Sequence, residues 1–111
     1  MAQYSRQLDG VFAALADPTR RSVIGQLGRG PASVSQLAQT TSMSLPSFMK
    51  HVAALEGSGL IHTSKSGRVR TCTLRRDRLA IVDGWLTGQR ALWEAQTDRL
   101  EQFVVNPQEY S

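Results

Sequence analysis

With 111 residues, 41% of them hydrophobic and 20% charged, the chain holds enough apolar material for one ordinary core, too little for two, and too much for intrinsic disorder. The formal charge is +4, and six of the 13 basic residues fall between positions 61 and 78 beside a single acid, Asp77, which points to an anionic partner, nucleic acid first. Cys72 is the only cysteine, which excludes an intramolecular disulfide and a two-cysteine metal clip; with no signal-peptide core and no run of eighteen apolar residues, a cytoplasmic protein is expected, neither secreted nor membrane-spanning.

The spacing of Leu8, Val11, Phe12 and Leu15 lines one face of a first helix. Asp17-Pro18 supplies an N-cap and a first helical residue, and Val23, Ile24 and Leu27 carry a second helix to Gly28. After the break at Gly30-Pro31, Ser33 and Gln36 match a capping box for a short third helix over Val34 to Thr40, with Val34, Leu37 and Ala38 inward. A tight polar turn around Thr41-Ser42-Met43 leads to Ser44, the N-cap of a fourth helix, with Leu45, Phe48, Val52 and Leu55 as its buried stripe.

Gly57 and Gly59 stop that helix. Ile61 to Lys65 and Val69 to Leu74, rich in β-branched residues and joined through Ser66-Gly67, predict a β-hairpin. Asp77 is the expected cap of a last helix whose broad face holds Val82, Trp85, Leu86, Gln89, Leu92, Trp93, Gln96, Leu100, Phe103 and Val104. Gly84 and Gly88 weaken it by about 1 kcal/mol each relative to Ala, so a kink or break is expected near them, and Asn106-Pro107 closes it.

The expected fold is mainly α with a small β-hairpin, in the order α-α-α-α-β-β-α: a winged helix-turn-helix. Residues 1–105 form one DNA-binding domain with dimerising helices at both ends, and 106–111 form a tail. In this arrangement the third helix braces the fourth, and helix 44–57 enters the major groove. Opposite its buried stripe stand Pro46, Ser47, Lys50, Ala53 and Ala54, where small residues allow close approach and Ser44, Ser47 and Lys50 donate hydrogen bonds. His51 flanks that face, either touching a phosphate or bonded within the domain.

The hairpin at 61–74 is the expected wing, with Lys65, Arg68 and Arg70 reaching phosphates or the minor groove. Leu8 and Phe12 of the first helix with Trp85, Leu92, Trp93, Leu100 and Phe103 of the last exceed the needs of so small a core and mark a two-fold dimer interface.

Phe12-Ala13-Ala14-Leu15-Ala16-Asp17-Pro18-Thr19-Arg20-Arg21 resembles the opening motif of the ArsR/SmtB regulators. Ser44-Leu45-Pro46, Lys50-His51, Leu55-Glu56, Gly59-Leu60-Ile61 and Gly67-Arg68 follow that family's recognition helix and wing in register, over roughly residues 8 to 74. The resemblance implies a homodimeric repressor on double-stranded operator DNA, released by an effector, with the reading role at Ser47, Lys50 and His51 and the wing role at Arg68 and Arg70. Met49 departs from the small Ser often found before the Lys-His pair.

Well-known members sense metals through a Cys-x-Cys element before the turn, or through Asp/His and His/Glu pairs on the last helix. Val34 to Thr40 has no cysteine and the last helix no histidine, while His51, His62 and Cys72 lack ligand spacing, so no metal and no cofactor is expected. Neither is catalysis: no nucleophile with its base, carboxylate pair or phosphate-binding loop has the required context, and no strand precedes Gly28-Arg29-Gly30. The competing reading is a winged-helix module that contacts protein through its tryptophan-bearing last helix and binds no DNA.

Overall fold

A computed structural model describes residues 2–105, with side chains described for 6–103. Local capping chemistry sets where the helices begin. After α1 (Ala2–Leu15), α2 (Pro18–Leu27) starts where Asp17, in extended backbone, accepts the Arg20 N–H at 3.0 Å and Pro18 occupies the first turn. α3 (Val34–Ala38) opens on a complete capping box: the Gln36 N–H donates to Ser33 Oγ at 3.1 Å, and the Ser33 N–H donates to Gln36 Oε1 at 2.9 Å. It ends two residues before the expected Thr40, because the hydroxyls of Thr40 and Thr41 donate to the carbonyls of Leu37 and Ala38 at 2.7 and 3.0 Å and satisfy its open end. Ser44 then caps α4 (Leu45–Gly57).

β2 (Ile61–Ser66) and β3 (Val69–Leu74) pair antiparallel with Ser66 opposite Val69, so the turn is Gly67-Arg68, one residue later than expected. Gly67, at φ +62, supplies the positive angle that a two-residue hairpin needs. A third strand, β1 (Ala32–Ser33), was not expected. It pairs with the far edge of β3, Ala32 opposite Cys72, to give the order β1-β3-β2. Two residues are too few to show alternation in a sequence.

The core lies between α1–α4 and the inner face of this sheet. Phe48, Leu37, Leu55 and Leu60 are fully buried at its centre, joined by Val11, Leu27, Ile61 and Cys72. Each large apolar side chain there contributes roughly 1.5–3 kcal/mol by leaving water. One residue of an expected buried stripe lies elsewhere. Leu45 is 56% exposed, because the whole first turn of α4 from Ser44 to Ser47 projects from the core. Phe12 is also exposed, and Ala14 completes the buried face of α1 with Leu8 and Val11.

α5 (Arg76–Val105) begins one residue before Asp77, which therefore sits in the first turn rather than at the cap. The carboxylate still favours the helix dipole there, and it meets Arg75 at 3.4 Å. The helix runs without a break through Gly84 and Gly88, where a kink or break was expected. Leu79 and Val82 pack on the core; beyond them the helix, about 45 Å long at 1.5 Å per residue, leaves the body of the protein and gives the molecule its 73 Å long dimension. Phe12 of α1 meets Trp85 edge to face at 5.5 Å. The side chain of Val104, the expected stop at Asn106-Pro107 and the tail 106–111 lie outside the described residues.

Candidate nucleic-acid interface

The motif around Asp17 has a structural job at nearly every position. Arg20 donates from Nε to the carbonyl of Ala14 at 2.7 Å and from Nη2 to that of Ala13 at 3.1 Å, while Arg21 donates to Leu15 at 2.7 Å. Two arginines at the start of α2 thus satisfy the open C-terminal carbonyls of α1. The sequence reading missed this role, although basic residues just past a helix end are its usual signal.

Arg20 also reaches α4. Its Nη1 approaches His51 Nδ1 at 3.2 Å, a hydrogen bond in the tautomer whose Nδ1 accepts, since a guanidinium only donates. Asp17 lies 3.7 Å from the same nitrogen, a contact that becomes an ion pair only when the ring is protonated. The Arg20 N–H bond holds the Asp17 carboxyl below the usual carboxylate range. The His51 side chain, 21% exposed, ties α4 to the α1–α2 corner.

The outward side of α4 is as the helical wheel places it. Ser44, Pro46, Ser47, Lys50, Ala53 and Ala54 are all exposed, and α3 packs behind the helix. Ser44 Oγ accepts the Ser47 N–H at 3.3 Å and donates to Ser47 Oγ at 3.1 Å, so it is committed to the cap, while Ser47 keeps its own hydroxyl proton for an outside acceptor. At the exposed start of α4 the N–H groups of Ser47 and Phe48 are taken by the Ser44 hydroxyl and carbonyl, and Pro46 has none, so the turn meets an outside acceptor chiefly through the Ser47 hydroxyl and Lys50.

In the hairpin, Lys65 stands directly opposite Arg70, and Arg68 lies in the turn. Lys65 and Arg68 are exposed. Arg70 is half-buried and donates from Nη1 to Thr63 Oγ1 at 2.9 Å; Thr63 Oγ1 in turn donates to Glu56 Oε2 at 2.6 Å, and the Thr63 N–H reaches the same oxygen at 3.1 Å. The Thr63 hydroxyl holds the Glu56 carboxyl below its ordinary value. Arg70 therefore ties β3 through β2 to the last turn of α4. Its Nη1 bond braces the wing from within the hairpin.

The apolar residues assigned to a dimer interface divide as well. Phe12, Trp85, Leu92, Trp93, Leu100 and Phe103 are exposed, whereas Leu8 is 8% exposed and its surface is already covered within the chain. Among the described residues no group of three or more His, Cys, Asp or Glu side chains stands together as metal ligands, and no helix is long and apolar enough to cross a membrane.

Comparison with known proteins agrees with this geometry. Residues 15–64 match a family described as a helix-turn-helix domain. The HTH-type transcriptional regulator Rv2034 of Mycobacterium tuberculosis is 33% identical over 77 residues, 69% of this chain and 72% of that protein. The transcriptional repressor SdpR of Bacillus subtilis is 30% identical over 79 residues, 71% of this chain and 88% of that one. Among solved structures, the crystal structure of an ArsR family transcriptional regulator superposes with a TM-score of 0.80 at 58% identity, covering 85% of this chain and 97% of the other. The homodimeric winged helix-turn-helix DNA-binding domain Mb0332 of Mycobacterium bovis shares the fold, with a TM-score of 0.65 at 22% identity over 82% of this chain and 86% of that one. The chain belongs to the ArsR family of winged helix-turn-helix transcriptional regulators.

Proposed function

We propose that this regulator is a homodimeric repressor that reads double-stranded operator DNA with Ser47, Lys50 and the first turn of α4, flanks the duplex with Lys65 and Arg68 of the wing, and is released by an effector. The observation that carries the reading is the start of α4: a capped, outward-projecting first turn with small polar residues and one lysine, on a helix whose other side is locked into the core. Such an end fits the major groove, which accepts one α-helix, and its hydroxyl and ammonium donors suit base edges and phosphate. Pro46 at the helix start keeps the approach free of bulk. Ser44 acts by holding the cap, and His51 and Arg70 act by holding α4 and the wing in place.

Dimerisation is supported by α5, whose exposed tryptophans and leucines continue past the core together with Phe12 of α1. A second copy packed on this face covers apolar area that one chain leaves in water. The repressor sense is supported by the name of SdpR and the homodimer by the description of the M. bovis domain. The test is selection of binding sites from random duplexes by the purified full chain. An inverted repeat with half-sites about 10 base pairs apart centre to centre, or a multiple of that, is expected; a single unrepeated site, or no enrichment, overturns the dimeric reading.

A further inference from the structure

The C-terminal end of α4, opposite the end assigned to DNA, borders a cleft of about 450 Å³ between α1 and the start of α5. That volume falls in the range of small-molecule sites. Three guanidinium groups line it: Arg6 from α1, and Arg75 and Arg78 from the β3–α5 junction. Among the described residues Glu56 is the only acid in the lining, and its Oε2 is occupied by the two donors of Thr63. Asp77 meets Arg75 at the surface, but among the described residues the side chains of Arg6 and Arg78 have neither a hydrogen bond nor an ion pair.

One of these arginines packs closely over the backbone at Gly59. Gly59, at φ +82, carries no Cβ, and one built there would stand 2.9 Å from Arg78 Nε. The Arg78 side chain thus lies across the glycine against the cleft wall, and a Cβ at 59 makes it shift. Guanidinium groups collected without matching carboxylates repel one another, and their planar forks suit carboxylate and phosphate oxygens.

We propose that this cleft binds a small oxyanion of two or more negative charges, a polycarboxylate or a phosphate compound, and that occupation is passed to the wing through Glu56. The route is short: Glu56 lines the cleft and accepts from Thr63 on β2, which accepts from Arg70 on β3. The Arg75 N–H, donating to the Leu60 carbonyl at 2.8 Å, ties the cleft to the start of β2 as well. The regulatory half of this inference rests on the DNA-binding reading above; the binding half stands without it.

Calorimetric titration of the full chain with citrate and with pyrophosphate tests the binding half and separates the two ligand classes. Saturable binding of at least one probe at one site per chain is expected, weakened about tenfold or more by Arg6→Ala and by Arg78→Ala, as the loss of a charged bidentate contact requires. Arg78→Lys, which keeps the charge and most of the packing, retains part of the affinity, and Arg99→Ala on the far part of α5 retains all of it. No saturable binding of either probe, or equal weakening by Arg99→Ala, overturns the site. For the regulatory half, the bound probe is expected to weaken operator binding by the wild-type chain and not by the Arg6→Ala/Arg78→Ala chain. Equal weakening of both is ionic screening and overturns the coupling. A chain that takes up the anion yet binds no DNA refutes the DNA reading and leaves the site standing.

Discussion

Replacing Thr63 with Val keeps the volume and removes only the hydroxyl that joins α4 to the wing. Thr63 is 8% exposed, and its Oγ1 makes two bonds to charged partners: it donates to Glu56 at 2.6 Å and accepts from Arg70 at 2.9 Å. Hydrogen bonds to charged groups are worth roughly 1.5–3 kcal/mol each when fully protected. Glu56 is exposed and Arg70 half-buried, so both regain water, and the expected net loss is about 1–2 kcal/mol for the pair. For a chain of this size that lowers Tm by about 4–8 °C per kcal/mol. Urea unfolding at fixed protein concentration, which a dimer requires, reads the change as a lower midpoint at constant slope. Because Glu56 is held below its ordinary pKa by this hydroxyl, the stability it brings is present above the unfolded carboxyl value of about 4.3 and is lost as pH falls through the lower folded value. The Thr63→Val deficit is therefore full at neutral pH and shrinks below about pH 4. A deficit under about 0.3 kcal/mol, or one fully additive with that of Arg70→Ala in a double-mutant cycle, refutes the coupling of wing to reading helix.

Other substitutions check other parts of the account. Gly59→Ala puts a Cβ at positive φ and into Arg78, and is expected to lower stability by about 1–3 kcal/mol in urea unfolding; Gly57→Ala, with nothing within 4 Å of its Cβ, is neutral or stabilising by up to about 1 kcal/mol. Ser33→Ala dissolves the capping box and costs about 0.5–2 kcal/mol, read by the same unfolding. Arg68→Ala leaves the fold intact, weakens binding to all duplexes alike and reduces the slope of log affinity against log salt by about one, whereas Lys50→Ala leaves the fold intact and weakens binding to the operator more than to a random duplex. Retention of full affinity and slope by both variants removes them from the interface.

Much of this architecture is legible in the sequence because it rests on local chemistry. Asp17-Pro18, Ser33 with Gln36, and Ser44 announce their helices through capping bonds that span three residues, and the β-branched runs on either side of Ser66-Gly67 announce the hairpin. What depends on how elements meet is not legible in the same way. Periodicity assigns Leu45 to the buried stripe but does not tell that the first turn of α4 projects beyond α3. β1 exists only because β3 offers an edge at Cys72 and Thr71. Arg70 carries a signal that composition hides: it stands two residues before the buried Cys72 and so points to the same side of the strand, towards Glu56. His51 gives no such sign, because its partner Arg20 lies 31 residues away. The cleft at Arg6, Arg75 and Arg78 is likewise assembled from positions far apart in the chain.

The central claim, DNA reading by α4 and the wing, is tested most directly by the affinity of the full chain for duplex DNA from upstream of its own gene, measured across salt concentrations against a random duplex. The account predicts tight binding that prefers the upstream duplex and falls steeply with salt, as released counterions require. Absence of binding at low salt, or equal affinity for both duplexes at every salt concentration, contradicts it and leaves the exposed face of α5 as a surface for protein alone.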